Sequence, residues 1–135
     1  MRTQSWFALA FAVAAIAGCS SDAEPKRLRL TGEALYDGQP IPFGDVLFTP
    51  DGAQGNKGPQ GIAAIRDGQY DTGAVEGKGF AGGPTVIRVT GLTGPGGKVI
   101  CEYELKADLP RTDGTYKIEV PKGATIAPKP KLPEI

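Results

Sequence analysis

The chain has 135 residues, 15 Lys+Arg against 15 Asp+Glu, and no histidine. That length fits one domain. The missing imidazole excludes Ser-His-Asp and Cys-His nucleophile systems and His-ligated zinc, and balanced charge with a pI near 6.3 lacks the basic stripe of a nucleic-acid binder. Twenty glycines and twelve prolines argue against a helical bundle.

Arg2 is the only charge before Asp22, and residues 6–17 are unbroken apolar sequence. A membrane span needs about 20 such residues, so this run predicts a signal-peptide core behind a cationic start. It ends Ile16-Ala17-Gly18-Cys19, which resembles the bacterial lipobox. The resemblance implies a signal peptide over 1–18, cleavage after Gly18, and acylation of Cys19 on its thiol and new amine. Small residues at 17 and 18 would let a peptidase reach the backbone, and the thiol alone can take a lipid as a thioether. At about 0.8 kcal/mol per buried methylene, several acyl chains anchor a protein permanently. The mature chain would keep 117 residues, with 14 cations against 15 acids, and would lose Trp6, the only tryptophan. The other cysteine, Cys101, would then have no disulfide partner. Residues 19–27 read as the lipidated cysteine and a polar tether. Ser20, where lipoproteins retained at an inner membrane tend to carry aspartate, favours an outer-membrane or periplasm-facing position on the non-cytoplasmic side.

The body, residues 28–122, alternates apolar and polar residues in short runs between turn signals. Leu28, Leu30 and Ala34 open the pattern, and Asp37-Gly38 marks a turn. Val46 and Phe48 follow, then a run over 62–66 with Ile62 and Ala64 inward, closed by Asp67-Gly68. Tyr70 and Thr72 form a short fourth strand, and Ile87 and Val89 face inward in a fifth. Val99, Cys101, Tyr103 and Leu105 line the sixth, and Tyr116, Ile118 and Val120 the seventh. Seven short strands without an amphipathic helix after residue 19 predict an all-β, seven-stranded Greek-key sandwich. Residues 123–135, rich in proline, read as a flexible tail.

The order of motifs narrows this further. A strand with a mid-strand glycine at Gly32 leads into Tyr36-Asp37-Gly38-Gln39-Pro40. A second strand ends Phe48-Thr49-Pro50, and Asp67-Gly68-Gln69-Tyr70 follows. This resembles carboxypeptidase-regulatory-like domains, whose fold is a transthyretin-like sandwich. Behind a lipobox, the single domain is similar to small lipoproteins of planctomycete-type bacteria. The resemblance covers residues 28–122 and implies a fold more than a function. Gly83-Pro84-Thr85-Val86-Ile87 departs from the family pattern by placing threonine where an aromatic normally sits.

Several clusters invite a chemical reading. Gly52, Gly55, Gly58 and Gly61 fall every third residue, too few triplets for a collagen helix, so a flexible loop is expected. Gly77-Lys78-Gly79 precedes a strand, where a phosphate loop would precede a helix. Asp67, Asp71 and Glu76 are oxygen donors close in sequence but without the EF-hand order, and solvated turn carboxylates are the expectation. Glu102 and Glu104 share a strand face about 7 Å apart, opposite Cys101 and Tyr103, which reads as a solvated face. Cys101 lacks a base and reads as a small buried hydrophobe. Phe43 and Phe80 are the aromatics expected in loops.

No catalytic, cofactor-binding or metal residue emerges, and Cys19 is the one assigned site. The expectation is a membrane-anchored lipoprotein without enzymatic activity, a binding or structural module of the cell envelope with an envelope protein or glycan as partner. The alternatives are a calcium-stabilised adhesion or glycan-binding domain, and a carboxylate-dependent hydrolase.

Overall fold

The computed structural model describes residues 26–124. The expected signal peptide, Cys19, most of the tether and all but the first two residues of the tail lie outside the described residues. Within them are nine strands: β1 (Leu30–Tyr36), β2 (Gln39–Pro40), β3 (Phe43–Pro50), β4 (Gly61–Arg66), β5 (Gln69–Asp71), β6 (Gly83–Leu92), β7 (Val99–Leu109), β8 (Gly114–Thr115) and β9 (Ile118–Val120). The only helical element among the described residues is the 3-10 turn Gly52–Gln54. No helix there is long and apolar enough to cross a membrane. The seven expected strands are present, and β2 and β8 are two-residue additions.

The strands follow one hydrogen-bonded path, β2-β1-β5-β4-β3-β6-β7, curled around the core. All pairings on it are antiparallel; β8 and β9 join β1 in parallel. The two Asp-Gly pairs close tight hairpins. Asp37 and Gly38 (φ 49° and 76°), and Asp67 and Gly68 (50° and 76°), all have positive φ. Hairpin turns of that kind match the right-handed twist of the flanking strands and favour Asp-Gly.

The core contains Leu30, Ala34, Val46, Phe48, Tyr70, Ile87, Val89, Cys101, Ile118 and Val120, all at the phase that alternation predicted. Phe48 anchors it, with ring centroids 5.8 Å from Tyr70 and 6.3 Å from Phe80. Aromatic pairs at such tilted geometries stabilise beyond their buried area. Thr85 faces inward and donates its hydroxyl to the Gly83 carbonyl at 2.8 Å. Leu28 is buried but precedes β1, bridging to Phe80 instead. Among the described residues the sheet and its core lie within 28–124, so a polypeptide beginning at Cys19 keeps every strand and core side chain described.

Four expectations about the core are corrected. In β4 the inward residues are Ala63 and Ile65, while Ile62 and Ala64 are half-buried on the outer face. The run Ile62-Ala63-Ala64-Ile65 offers no polar residue to set its phase. Pairing sets it, with Val46 opposite Ala63 and Leu47 opposite Ile62. Val99 is 56% exposed because a bulge intervenes: Gly91 pairs with Cys101, yet Leu92 pairs with Val99. The extra residue, Ile100, turns Val99 to the other face. Tyr103, Leu105 and Tyr116 pack against the core but stay half-buried. Phe80, expected in a loop, is fully buried, as are Ile41 and Leu109.

The glycine-rich loop 51–60 is tied down rather than merely flexible. Asp51 caps the 3-10 turn by accepting from the Ala53 N–H at 3.1 Å. The Asn56 side chain donates to the carbonyls of Gly82 (2.9 Å) and Pro84 (2.6 Å).

Candidate functional site: a groove on the outer sheet face

Strand pairing sets side chains in rows across the outer face. Arg66 lies beside Gln69 and Gln69 beside Glu33; Asp71 lies beside Thr31. Over these rows hangs the segment 72–78, whose two ends are fastened. The Leu30 N–H donates to the buried Thr72 hydroxyl at 2.8 Å, and Lys78 pairs with Ile62 through two backbone bonds of 2.8 and 2.9 Å. Between these ties the loop rises, leaving Val75 entirely exposed at its tip. Beneath it is an open cavity of about 780 Å³ with Glu33, Ala64, Arg66, Gln69, Ala74 and Val75 in its lining.

Two ion pairs frame the groove. Arg29 grips Asp71 with two of its guanidinium nitrogens, Nε donating to Oδ1 at 2.9 Å and Nη2 to Oδ2 at 2.6 Å, and the Gly73 N–H adds a bond of 2.8 Å to Oδ1. The Arg29 hydrogen bond holds the Asp71 carboxyl below its ordinary range, and the same bond raises the guanidinium. Arg66 lies over the Phe43 ring, 3.9 Å from its centroid, and donates to Glu76 at 3.1 Å. A guanidinium stacked on an aromatic face while bonding a carboxylate is held in one orientation. Phe43 is thus half-buried beneath a cation and offers no open stacking platform.

The acids that the sequence put forward do not converge. Asp71 serves Arg29, Glu76 serves Arg66, and Asp67 sits in its hairpin turn. Among the described residues no three His, Cys, Asp or Glu residues gather as a metal site. Glu102 and Glu104 lie on the outer face of β7, exposed, with Glu104 4.0 Å from Arg88 Nε. Lys78 pairs with Ile62 through its backbone, at the end of the loop that leads into Phe80. Cys101 is free and buried, and burial pushes its thiol up, away from the reactive thiolate. Cys19 lies outside the described residues.

Sequence reasoning passed over Glu33, Gln69, Arg66 and Val75. One signal was available: Val75 is the only large apolar residue in 73–79, a segment without alternation to bury it. Asp45 was also unremarked; it stands between Ala64 and Thr90, where burial raises its carboxyl. Chemically, the groove offers an acid, an amide and a small apolar rim. It can hold an extended polar ligand; no nucleophile paired with a base lines it. No family model, curated protein or solved structure matches the chain.

Proposed function

We propose that the chain is a lipid-anchored module of a bacterial cell envelope that binds or scaffolds rather than catalyses. In this reading its domain is a transthyretin-like sandwich of the carboxypeptidase-regulatory-like kind, held on the non-cytoplasmic side through Cys19. The observation that carries it is Ile16-Ala17-Gly18-Cys19 closing the apolar run that begins at residue 6, with Cys19 nine residues before the first core side chain, Leu28. The midstrand Gly32 and the two Asp-Gly hairpins support the family assignment. The engagement of Asp71, Glu76 and Glu104 by arginines supports a role outside acid–base chemistry. The groove under Val75 is where a ligand would sit.

Mass spectrometry of the amino-terminal peptide from native membranes tests the anchor. A diacylglycerol thioether with an acylated amine on Cys19 is expected, and Cys19→Ala should accumulate as uncleaved precursor. An unmodified amino terminus would sink the reading. Val75→Asp tests the groove: it should abolish capture of crosslinked envelope partners while leaving the melting temperature unchanged.

A further inference from the structure

The strand β7 is the longest in the fold, eleven residues, and β6 is the only strand that pairs with it among the described residues. Among the described residues its other edge presents unpaired backbone donors and acceptors, the template onto which a further strand adds. Its inward row is also unfinished. Tyr103, Leu105 and Ala107 pack against the core yet remain half-buried, whereas Ile87, directly opposite Leu105 on β6, is fully buried. A strand laid along the free edge would pair the backbone and cover this row together.

We propose that the occupant is a second copy of this chain, with β7 pairing to β7 antiparallel across a two-fold axis through Glu104. Three constraints select that arrangement. Paired residues share a sheet face, so a symmetric antiparallel pair must centre on one residue. Centred on Glu104, the two strands pair without interruption from Cys101 to Ala107, inside the bulge at Ile100. The charges on the outer row, Glu102, Glu104, Lys106 and Asp108, choose the same register. There, Glu102 of each copy faces Lys106 of the other, giving two opposite-charge pairs against one like pair of Glu104 residues, each with Arg88 beside it. Centred on Tyr103, Glu102 would face Glu104 twice. Centred on Leu105, two favourable pairs would be offset by Glu102 facing Asp108 twice. Centred on Lys106, every charged pair would be like. On the inward side the Glu104 register sets Tyr103 against Leu105 and Cys101 against Ala107, so the half-buried row of each copy closes that of the other.

The chain from residue 19 onward, carrying Cys19→Ser, tests this by sedimentation equilibrium in dilute salt. A reversible dimer is expected, with slowed amide exchange in β7. Because cross-strand charges act locally, Glu102→Lys and Lys106→Glu should each weaken the dimer, and both together should restore it with the charges exchanged. Both side chains are exposed, so the fold should survive, as circular dichroism would check. Lys106→Glu also places a carboxylate near Asp51, 3.7 Å from Lys106 Nζ; recovery in the double variant separates the two effects. A chain that stays monomeric at millimolar concentration overturns the proposal, as does a dimer that the double variant fails to restore. A monomer whose β7 amides are protected only by an unrelated extended peptide would assign the edge to a different partner and equally overturn it. Because the anchor plays no part in this measurement, the inference and the lipoprotein reading can fail independently.

Discussion

β1 and β7 are built on opposite principles. β1 has seven residues and four partners, with β2 and β5 on one side and β8 and β9 on the other. β7 has eleven residues and, among the described residues, one partner. At Gly32 the crowding on β1 reaches its limit: a Cβ there would overlap the Tyr116 carbonyl oxygen, and the Tyr70 hydroxyl stands 3.0 Å away. The Tyr70 hydroxyl donates to that same carbonyl. Burial holds the phenol well above its ordinary value, so it remains a donor at any working pH. The difference teaches where substitutions will be felt. Around β1 the chain closes on itself and has no room to adjust; along β7 one side is open, and its outer row of charges faces water.

The largest break in that comparison is Gly32→Val. It should destabilise by more than about 4 kcal/mol or prevent folding, because the Tyr116 backbone must move away; loss of the cooperative thermal transition would show it. Next comes a matched pair across the β6–β7 ladder. Ile87→Ala, fully buried, should cost about 2–5 kcal/mol by urea denaturation, and Leu105→Ala, its half-buried partner, clearly less. Equal losses would mean that the β7 side is as closed as the interior. Tyr70→Phe should cost about 1–3 kcal/mol, since it leaves the Tyr116 carbonyl without its donor.

The smallest effect is a pH dependence. The native Asp71 carboxyl lies below its model-peptide value of 3.8, held there by Arg29. The stability it contributes is present above the unfolded value and is lost as pH falls through 3.8 toward the depressed native one. Arg29→Met should flatten this acid limb by lowering stability slightly at neutral pH and leaving it unchanged once Asp71 is protonated, a small effect because exposed ion pairs contribute little. An acid melting profile identical to that of the parent would show that the pair adds nothing.

Much of the fold was legible where polar and apolar residues contrast. Leu30, Val46, Phe48, Ile87 and Ile118 each have a charged or polar residue on at least one side in sequence and are all buried. The groove was far less legible. Its walls come from β1, β4 and β5 and its roof from 72–78, residues that lie together only because β5 sits between β1 and β4. Asp71 was noticed as an acid, but its partner is 42 residues away, and no local pattern couples Arg29 to it.

What the sequence by itself determined is the β class, the Asp-Gly hairpins and the inward phase of every strand with a polar face, since period two and positive φ are local properties. The tertiary structure decided the rest. It chose the phase of the all-apolar β4, turned Val99 outward at a bulge, and sealed Phe80, Ile41 and Leu109 from water. Each of these depends on which strand lies alongside. That is a property of distant segments packing together, and a single stretch of chain does not contain it.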